Sequence, residues 1–201
     1  MSGGVFVVVE GPNGVGKTTT TALLADRLRR CGSAVHVTTE PSGTPLGRLI
    51  RASESALTGR ALALAVAADR AAHVEHEILP ALAAGQVVIS DRYVQSSLVL
   101  QRLDGLPLID IWHYNAHVPP ASLSCYLHHD PHVLQERLAQ RPRRSRLERV
   151  GSPQRELTLY EDAFAFLAAR GWPQARIDCR GLDVEGVVAQ LLQHLEQTET
   201  I

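Results

Sequence analysis

Apolar positions follow two rhythms along the chain. Short, nearly unbroken runs rich in β-branched residues alternate with longer stretches whose apolar side chains recur every three or four positions. Val5 to Val9 is the first run, continuous enough to predict a strand buried on both faces of a parallel sheet. A glycine loop follows, and then Thr18 to Arg30, where the spacing of Ala22, Leu23, Ala25 and Leu28 predicts a helix. Val35 to Thr39 predicts a second strand. It is closed by Glu40-Pro41-Ser42-Gly43-Thr44-Pro45, a run of turn formers that excludes regular structure. Ala61 to Ala84 reads as a long helix with a break near Pro80. Gln86 to Ser90 predicts a third strand ending at Asp91, and Ser122 to Leu127 a fourth. Helices are expected over Pro131 to Gln140, Glu156 to Arg170 and Val184 to Glu196, with a fifth strand at Ala175 to Cys179.

Strands separated by helices predict an α/β fold: a five-stranded parallel sheet with right-handed crossovers and helices on both faces, three layers in all. A chain of 201 residues with 45% hydrophobic content fills one such core, so a single domain over 1–201 is expected. A net charge of -1 gives no general attraction to nucleic acid or to an anionic membrane, and neither is expected as a partner. The longest mainly apolar stretch, Ala61 to Ala72, is interrupted by Asp69 and Arg70 and is too short to span a bilayer. The N-terminus lacks the pattern of a signal peptide, and Cys31, Cys125 and Cys179 stand far apart as reduced thiols would, so a cytoplasmic location is expected. His128 and His129, ending a strand before Asp130, read as chain-end residues rather than zinc ligands, and Trp112 and Trp172 as packing residues. The charge is nevertheless uneven: Arg137, Arg141, Arg143, Arg144, Arg146, Arg149 and Arg155 crowd one stretch.

Chemistry enters with Gly11-Pro12-Asn13-Gly14-Val15-Gly16-Lys17-Thr18, which satisfies G-x-x-x-x-G-K-[ST] between a buried strand and a helix. Glycines let the backbone wrap a phosphate, so that successive N–H groups and the helix N-terminus face its charge. Lys17 is placed to reach the β- and γ-phosphates of ATP, and Thr18 to offer its hydroxyl to Mg²⁺. Gly11, Asn13, Gly14, Val15, Gly16, Lys17, Thr18 and Thr19 are the candidate phosphate ligands. Asp91-Arg92-Tyr93 closes the third strand, and loops at the carboxyl ends of parallel strands meet at the ligand crevice. Asp91 is therefore a second candidate for Mg²⁺, partly through water, and Arg92 a candidate grip on an anionic acceptor. Read alone, the pair also fits a surface salt bridge.

The motifs in their order resemble the thymidylate kinase family over almost the whole chain. The resemblance is carried by Val8-Val9-Glu10-Gly11 with the phosphate loop, Glu40-Pro41-Ser42-Gly43-Thr44-Pro45-Leu46-Gly47, and Ala67-Ala68-Asp69-Arg70. Asp91-Arg92-Tyr93-Val94, Ser96-Ser97, Gln101 and Ser145-Arg146-Leu147-Glu148 complete it. It implies the P-loop kinase fold, with an acceptor-binding region at about 40–75 and a short arginine-rich lid at about 141–155. It also implies transfer of a phosphoryl group from MgATP to a small-molecule nucleotide acceptor. By the same resemblance Arg92 and Arg51 would hold the acceptor phosphate, Glu40 would lie beside the acceptor, Arg70 would bond its base, and Ser96 and Ser97 would line the base pocket. Because the phosphate loop carries no arginine, the lid would supply catalytic arginines, Arg146 first and then Arg141 and Arg144. Solvated charges are the alternative reading for most of the seven. A homodimer is implied as well, with Ala61 to Ala84 the candidate helix, although a core helix reads the same way.

The sequence departs from the family pattern around the acceptor. Val66 stands where a stacking phenylalanine is usual, Leu100 where a tyrosine packs near the sugar 2′ position, and Asn13 where the loop carries an acid. Gln95 and Arg102 likewise replace a common acid and a glycine. Tyr160, His113, Tyr114 and His117 are candidates to replace the lost stacking. The expected activity is thus phosphorylation of a nucleoside monophosphate, thymidine monophosphate or a relative of it. Two alternatives stay open: a kinase of a different acceptor (ribonucleotide, nucleoside or specialised metabolite), and a nucleotide-binding protein without turnover.

Overall fold

The computed structural model describes residues 4–53, 56–142 and 145–197. Five parallel strands run in the order β2-β3-β1-β4-β5, with β1 at Val5–Glu10, β2 at Val35–Thr39, β3 at Val87–Asp91, β4 at Leu123–His128 and β5 at Gln174–Asp178. The apolar run of β1 has a direct cause. Val7 and Val9 pack on the layer of α1 (Lys17–Arg30) and α10 (Val184–Gln197), with Leu24, Leu28, Val188 and Leu191. Phe6 and Val8 point the other way, toward Tyr93, Leu98 and Leu167. That second layer is formed by α5 (Val94–Leu103), α6 (Leu108–Asn115) and α9 (Pro153–Ala168). A strand clothed on both faces has no position left for a polar residue until its end, where Glu10 lies.

The structure differs from the sequence reading in three instructive places. Pro45 is not part of the irregular loop but the first residue of α2 (Pro45–Ala52), whose N-cap Thr44 accepts a hydrogen bond from the Gly47 N–H at 3.1 Å. Proline suits that position because its missing N–H would have no helical partner anyway. Pro80 does not break the long helix: α3 (Gly59–His73) passes through a π-helical turn, Val74–Ile78, into α4 (Leu79–Ala83). The widened turn brings Pro80 to the start of a new α-helical segment, where proline is tolerated. Third, α5 and α6 occupy a stretch with no helix in the sequence reading. All but two residues of α5 are buried, Val94 to Leu103 being covered nearly all round, so no polar stripe marks its period.

The remaining helices are α7 (Pro131–Ala139) and the short α8 (Arg146–Val150), which begins with a reciprocal cap between Ser145 and Glu148. A small apolar cluster of Ile50, Leu62, Leu103 and Leu147 joins α2, α3, α5 and α8 beside the main core. Among the described residues no helix is long and apolar enough to cross a membrane. Cys31 is exposed, Cys125 and Cys179 are buried, and all three are free thiols.

Candidate active site

The carboxyl ends of β1, β3 and β2 converge on one crevice. The loop leaving β1 turns at Gly11 with φ +141, and a Cβ there would stand 2.3 Å from the Leu127 carbonyl oxygen of β4. Only glycine allows both the turn and that approach. Gly16 caps α1 in the left-handed conformation and directs its free N–H groups into the loop. Lys17 is 6% exposed, and its Nζ donates to the carbonyls of Gly11 (2.8 Å) and Pro12 (2.9 Å). Burial, together with the charge of Arg92, lowers its pKa to about 7. Thr18 Oγ1 donates to Asp91 Oδ2 at 2.5 Å, while Asp91 Oδ1 is buried with no hydrogen-bond partner among the described residues. A hydroxyl and a carboxylate with an uncommitted oxygen make a donor set that fits a hard divalent cation such as Mg²⁺.

Arg92 is half-buried and holds a φ of +81, a conformation rare outside glycine that recurs where a side chain is forced into a site. Its Nη1 donates to Ser96 Oγ (3.0 Å) and its Nη2 to Asn13 Oδ1 (2.7 Å). Burial opposes its charge, but Tyr160, Glu10, Asp91 and Glu156 outweigh that and raise its pKa. Behind it, Glu10 is fully buried; it accepts from the N–H groups of Tyr93 (2.8 Å) and Ser96 (3.0 Å), from Ser96 Oγ (2.8 Å) and from Tyr160 OH (3.1 Å). Burial raises its pKa against the lowering effect of Arg92 and of these hydrogen bonds.

One cavity opens beside Arg92. Glu40, Arg51, Val66, Arg70, Arg92, Ser96, Ser97 and Leu100 all line it, together with Asn13, Pro41, Ile50, Leu62, Gln101, Ser145 and Leu147. Arg70 is 1% exposed and already engaged: Nε meets Glu40 Oε2 at 2.7 Å, Nη2 meets the Tyr93 carbonyl at 3.1 Å, and Nη1 bonds Asn115 Oδ1. Its neighbour Asp69 binds Ser42 N and Oγ (both 2.6 Å) and Thr44 Oγ1 (2.8 Å), so adjacent residues of α3 clamp the loop after β2 at both ends. A Cβ on Gly47 would lie 2.2 Å from the Ser42 carbonyl oxygen, which fixes glycine where α2 crosses that loop. Arg51 donates to the carbonyls of Pro41 and Ser42. Val66 and Leu100 join Leu62, Ile50 and Leu147 in an aliphatic wall.

The arginine-rich stretch has several fates. Arg146 forms a two-pronged pair with Asp104 (2.6 and 2.7 Å), and these bonds, above all, hold the Asp104 carboxyl below its usual pKa. Arg141 pairs with Glu148 at 2.5 Å. Arg137 reaches the Gly14 carbonyl at 3.4 Å and, with His129, Cys179 and Leu182, lines a second cavity against Val15, Gly16 and Thr19. Arg149 and Arg155 are exposed. Arg144, with Arg143, lies outside the described residues.

The candidate stacking residues do not line the cavity beside Arg92. Tyr160 is 3% exposed and packs edge-on to Tyr126 in the core, and His113, Tyr114 and His117 are not among the lining residues. Conversely, sequence reasoning missed Glu10 as a hub, Glu156 and Asp104 as partners, and Leu62, Ile50 and Leu147 as cavity wall. The lone acid ending the β1 run was the one readable signal among them.

A parallel sheet with a phosphate loop after its central strand, and a second basic pocket across the switch point, defines a P-loop phosphotransferase of the nucleotide-kinase type. The family model described as thymidylate kinase matches residues 9–167, and the chain belongs to that family. It is 40% identical over 161 residues to a probable thymidylate kinase of Pyrobaculum calidifontis, covering 78% of this chain and 80% of that protein. It is 34% identical over 195 residues to a probable thymidylate kinase of Pyrobaculum aerophilum, covering 94% and 97%. A thymidylate kinase of Thermomicrobium roseum is 52% identical over a shorter stretch of 101 residues, 48% of this chain and 47% of that protein.

Proposed function

We propose that this protein transfers the γ-phosphoryl group of ATP to a pyrimidine deoxynucleoside monophosphate, thymidine monophosphate foremost. The observation that carries the reading is one cavity that gathers Arg92, Arg51, Arg70, Ser97 and Gln101 beside Asn13 of the phosphate loop. Arg92, bonded to Asn13 of the phosphate loop, and a second arginine, Arg51, in the same cavity match an acceptor that already bears a phosphate. An aliphatic wall at Val66, Leu62 and Leu100 suits a base carrying a methyl group.

Donor phosphates lie along Gly11 to Thr18, with the donor base extending toward Arg137 and His129. Lys17 exchanges its two backbone carbonyls for phosphate oxygens. Thr18 and Asp91 would hold Mg²⁺, which when bound would supply charge neutralisation for the transferring group. Arg92 orients the acceptor phosphate for in-line attack, so that positioning and electrostatics do most of the work. Arg146 begins α8 and Arg141 pairs with Glu148 of the same helix, and they are the lid arginines of this reading.

A panel of nucleoside monophosphates and nucleosides with MgATP, read by ADP release and product mass, tests it. Burying one methyl group contributes about 0.8 kcal/mol, so thymidine monophosphate is expected to exceed deoxyuridine monophosphate by roughly fourfold in kcat/KM. Turnover only with unphosphorylated nucleosides, or none with any acceptor despite ATP binding, would sink the proposal.

A further inference from the structure

Glu156 is 1% exposed, sits in the first turn of α9, and bonds Asn13 of the phosphate loop. A buried carboxylate persists only where its oxygens are hydrogen-bonded. Here both oxygens are taken by one residue: Asn13 N–H donates to Oε2 at 2.8 Å, and Asn13 Nδ2 donates to Oε1 at 3.0 Å. That clamp leaves the Asn13 amide one orientation, nitrogen toward the carboxylate and oxygen away. The oxygen so presented is the one that accepts from Arg92 Nη2 at 2.7 Å. Gly151, at the end of α8, passes so close that a Cβ there would stand 3.3 Å from Glu156 Oε1.

We propose that Glu156 is a positioning residue for the acceptor half of the site: by fixing the Asn13 amide it aims Arg92 into the acceptor cavity. The inference rests on the reading of Arg92 as the acceptor-phosphate ligand. The physical logic lies in which atoms carry charge. Arg92 is held by two neutral oxygens, Asn13 Oδ1 and Ser96 Oγ, while carboxylates sit one residue back behind each, Glu156 behind Asn13 and Glu10 behind Ser96. Neutral acceptors fix the direction of a guanidinium and leave its charge for an incoming phosphate. An acid at position 13 would pair with Arg92 directly and would also face Glu156 as a like charge across a hydrogen-bond distance.

Exchanging the two groups tests the idea, because it preserves every donor and acceptor. In Asn13→Asp/Glu156→Gln the position 13 N–H donates to the amide oxygen at 156, the amide nitrogen at 156 donates to the new carboxylate, and Arg92 keeps its acceptor. Steady-state constants for ATP and acceptor, together with melting temperature, are measured for native protein, Glu156→Ala, Asn13→Asp and the double variant. Glu156→Ala is expected to raise the acceptor KM about tenfold and to leave the ATP KM within about twofold. Asn13→Asp alone is expected to lower kcat/KM for the acceptor about a hundredfold, and the double variant to return within about tenfold of native.

Three results overturn the inference: single variants that match native protein, a double variant no better than Asn13→Asp, or KM values for ATP and acceptor that rise together with lost melting temperature. The last would make Glu156 a plain structural anchor. Native turnover alone decides the kinase reading; only the ratio of variant to native decides this inference.

Discussion

Lys17 donates to two backbone carbonyls, the number of hydrogens a neutral amine carries. Burial and the nearby Arg92 lower its pKa from 10.5 to about 7, so at pH 8 the unliganded site holds mostly neutral lysine. Phosphate oxygens reverse both causes, adding negative charge and new acceptors. MgATP binding is therefore expected to take up close to one proton per site at pH 8 and little at pH 6, where Lys17 is already charged. Calorimetry in buffers of differing ionisation enthalpy measures the uptake, and Lys17→Met should abolish it; equal uptake at both pH values would contradict the assignment. The sign for stability follows from linkage. The unfolded chain binds more protons than the native one between about 7 and 10.5, so this group alone makes stability rise with pH across that window. At this scale the sequence was legible where chemistry sits in contiguous residues, as in Gly11 to Thr18. It was silent where partners lie far apart, as with Asn13 and Glu156, separated by 143 positions.

Helices differ in how far their sequence announces them, and the reason is burial. One face of α10 is buried through Val187, Val188, Leu191 and Leu195, a spacing that predicted it almost to the residue. Buried nearly all round, α5 gave no such stripe, and yet it contributes Ser96, Ser97, Leu100 and Gln101 to the cavity. The short α8 owes its place to contacts outside itself: Ser145 and Glu148 cap its start, and Arg146 is tied to Asp104 at the end of α5 with side-chain exposures of 15% and 7%. Asp104 also accepts from the Gly59 N–H at 3.0 Å, so one carboxylate holds the starts of α3 and α8 together. Asp104→Asn keeps the shape and removes the charge, at an expected cost of about 1.5–3 kcal/mol. Amide exchange over Arg146–Val150 should quicken while that of β1 stays slow. The same variant separates two roles for Arg146. If the arginine must leave Asp104 to meet the donor phosphates, weakening the pair lowers the ATP KM; a raised ATP KM would mark it as a fixed strut.

Across the whole molecule, the crevice is where stability is given up. Lys17 and Arg92 oppose one another's charge, Glu10 is held in a buried position that disfavours its ionised form, and Asp91 Oδ1 lacks a partner among the described residues. The sheet and its two apolar layers have to outweigh this arrangement, which nucleotide phosphates relieve. Ligands that bind only the folded chain stabilise it by about 2.7 kcal/mol at a hundred times Kd. For a protein of this size that corresponds to a melting shift of about 5–11 °C. In the proposed function MgATP and the acceptor use different walls of the crevice, the phosphate loop with Arg137 and the Arg92 cavity, so their shifts should add and should be separable by mutation. Lys17→Met is expected to remove the MgATP shift and keep that of the acceptor, and Arg92→Ala the reverse. Thermal scans against each nucleoside monophosphate then rank acceptors without any assumption about turnover. An acceptor that shifts melting strongly yet is not phosphorylated would point to a binding protein. A shift with ATP and with no monophosphate, nucleoside or other acceptor tried would mean that the Arg92 cavity serves something other than the acceptor.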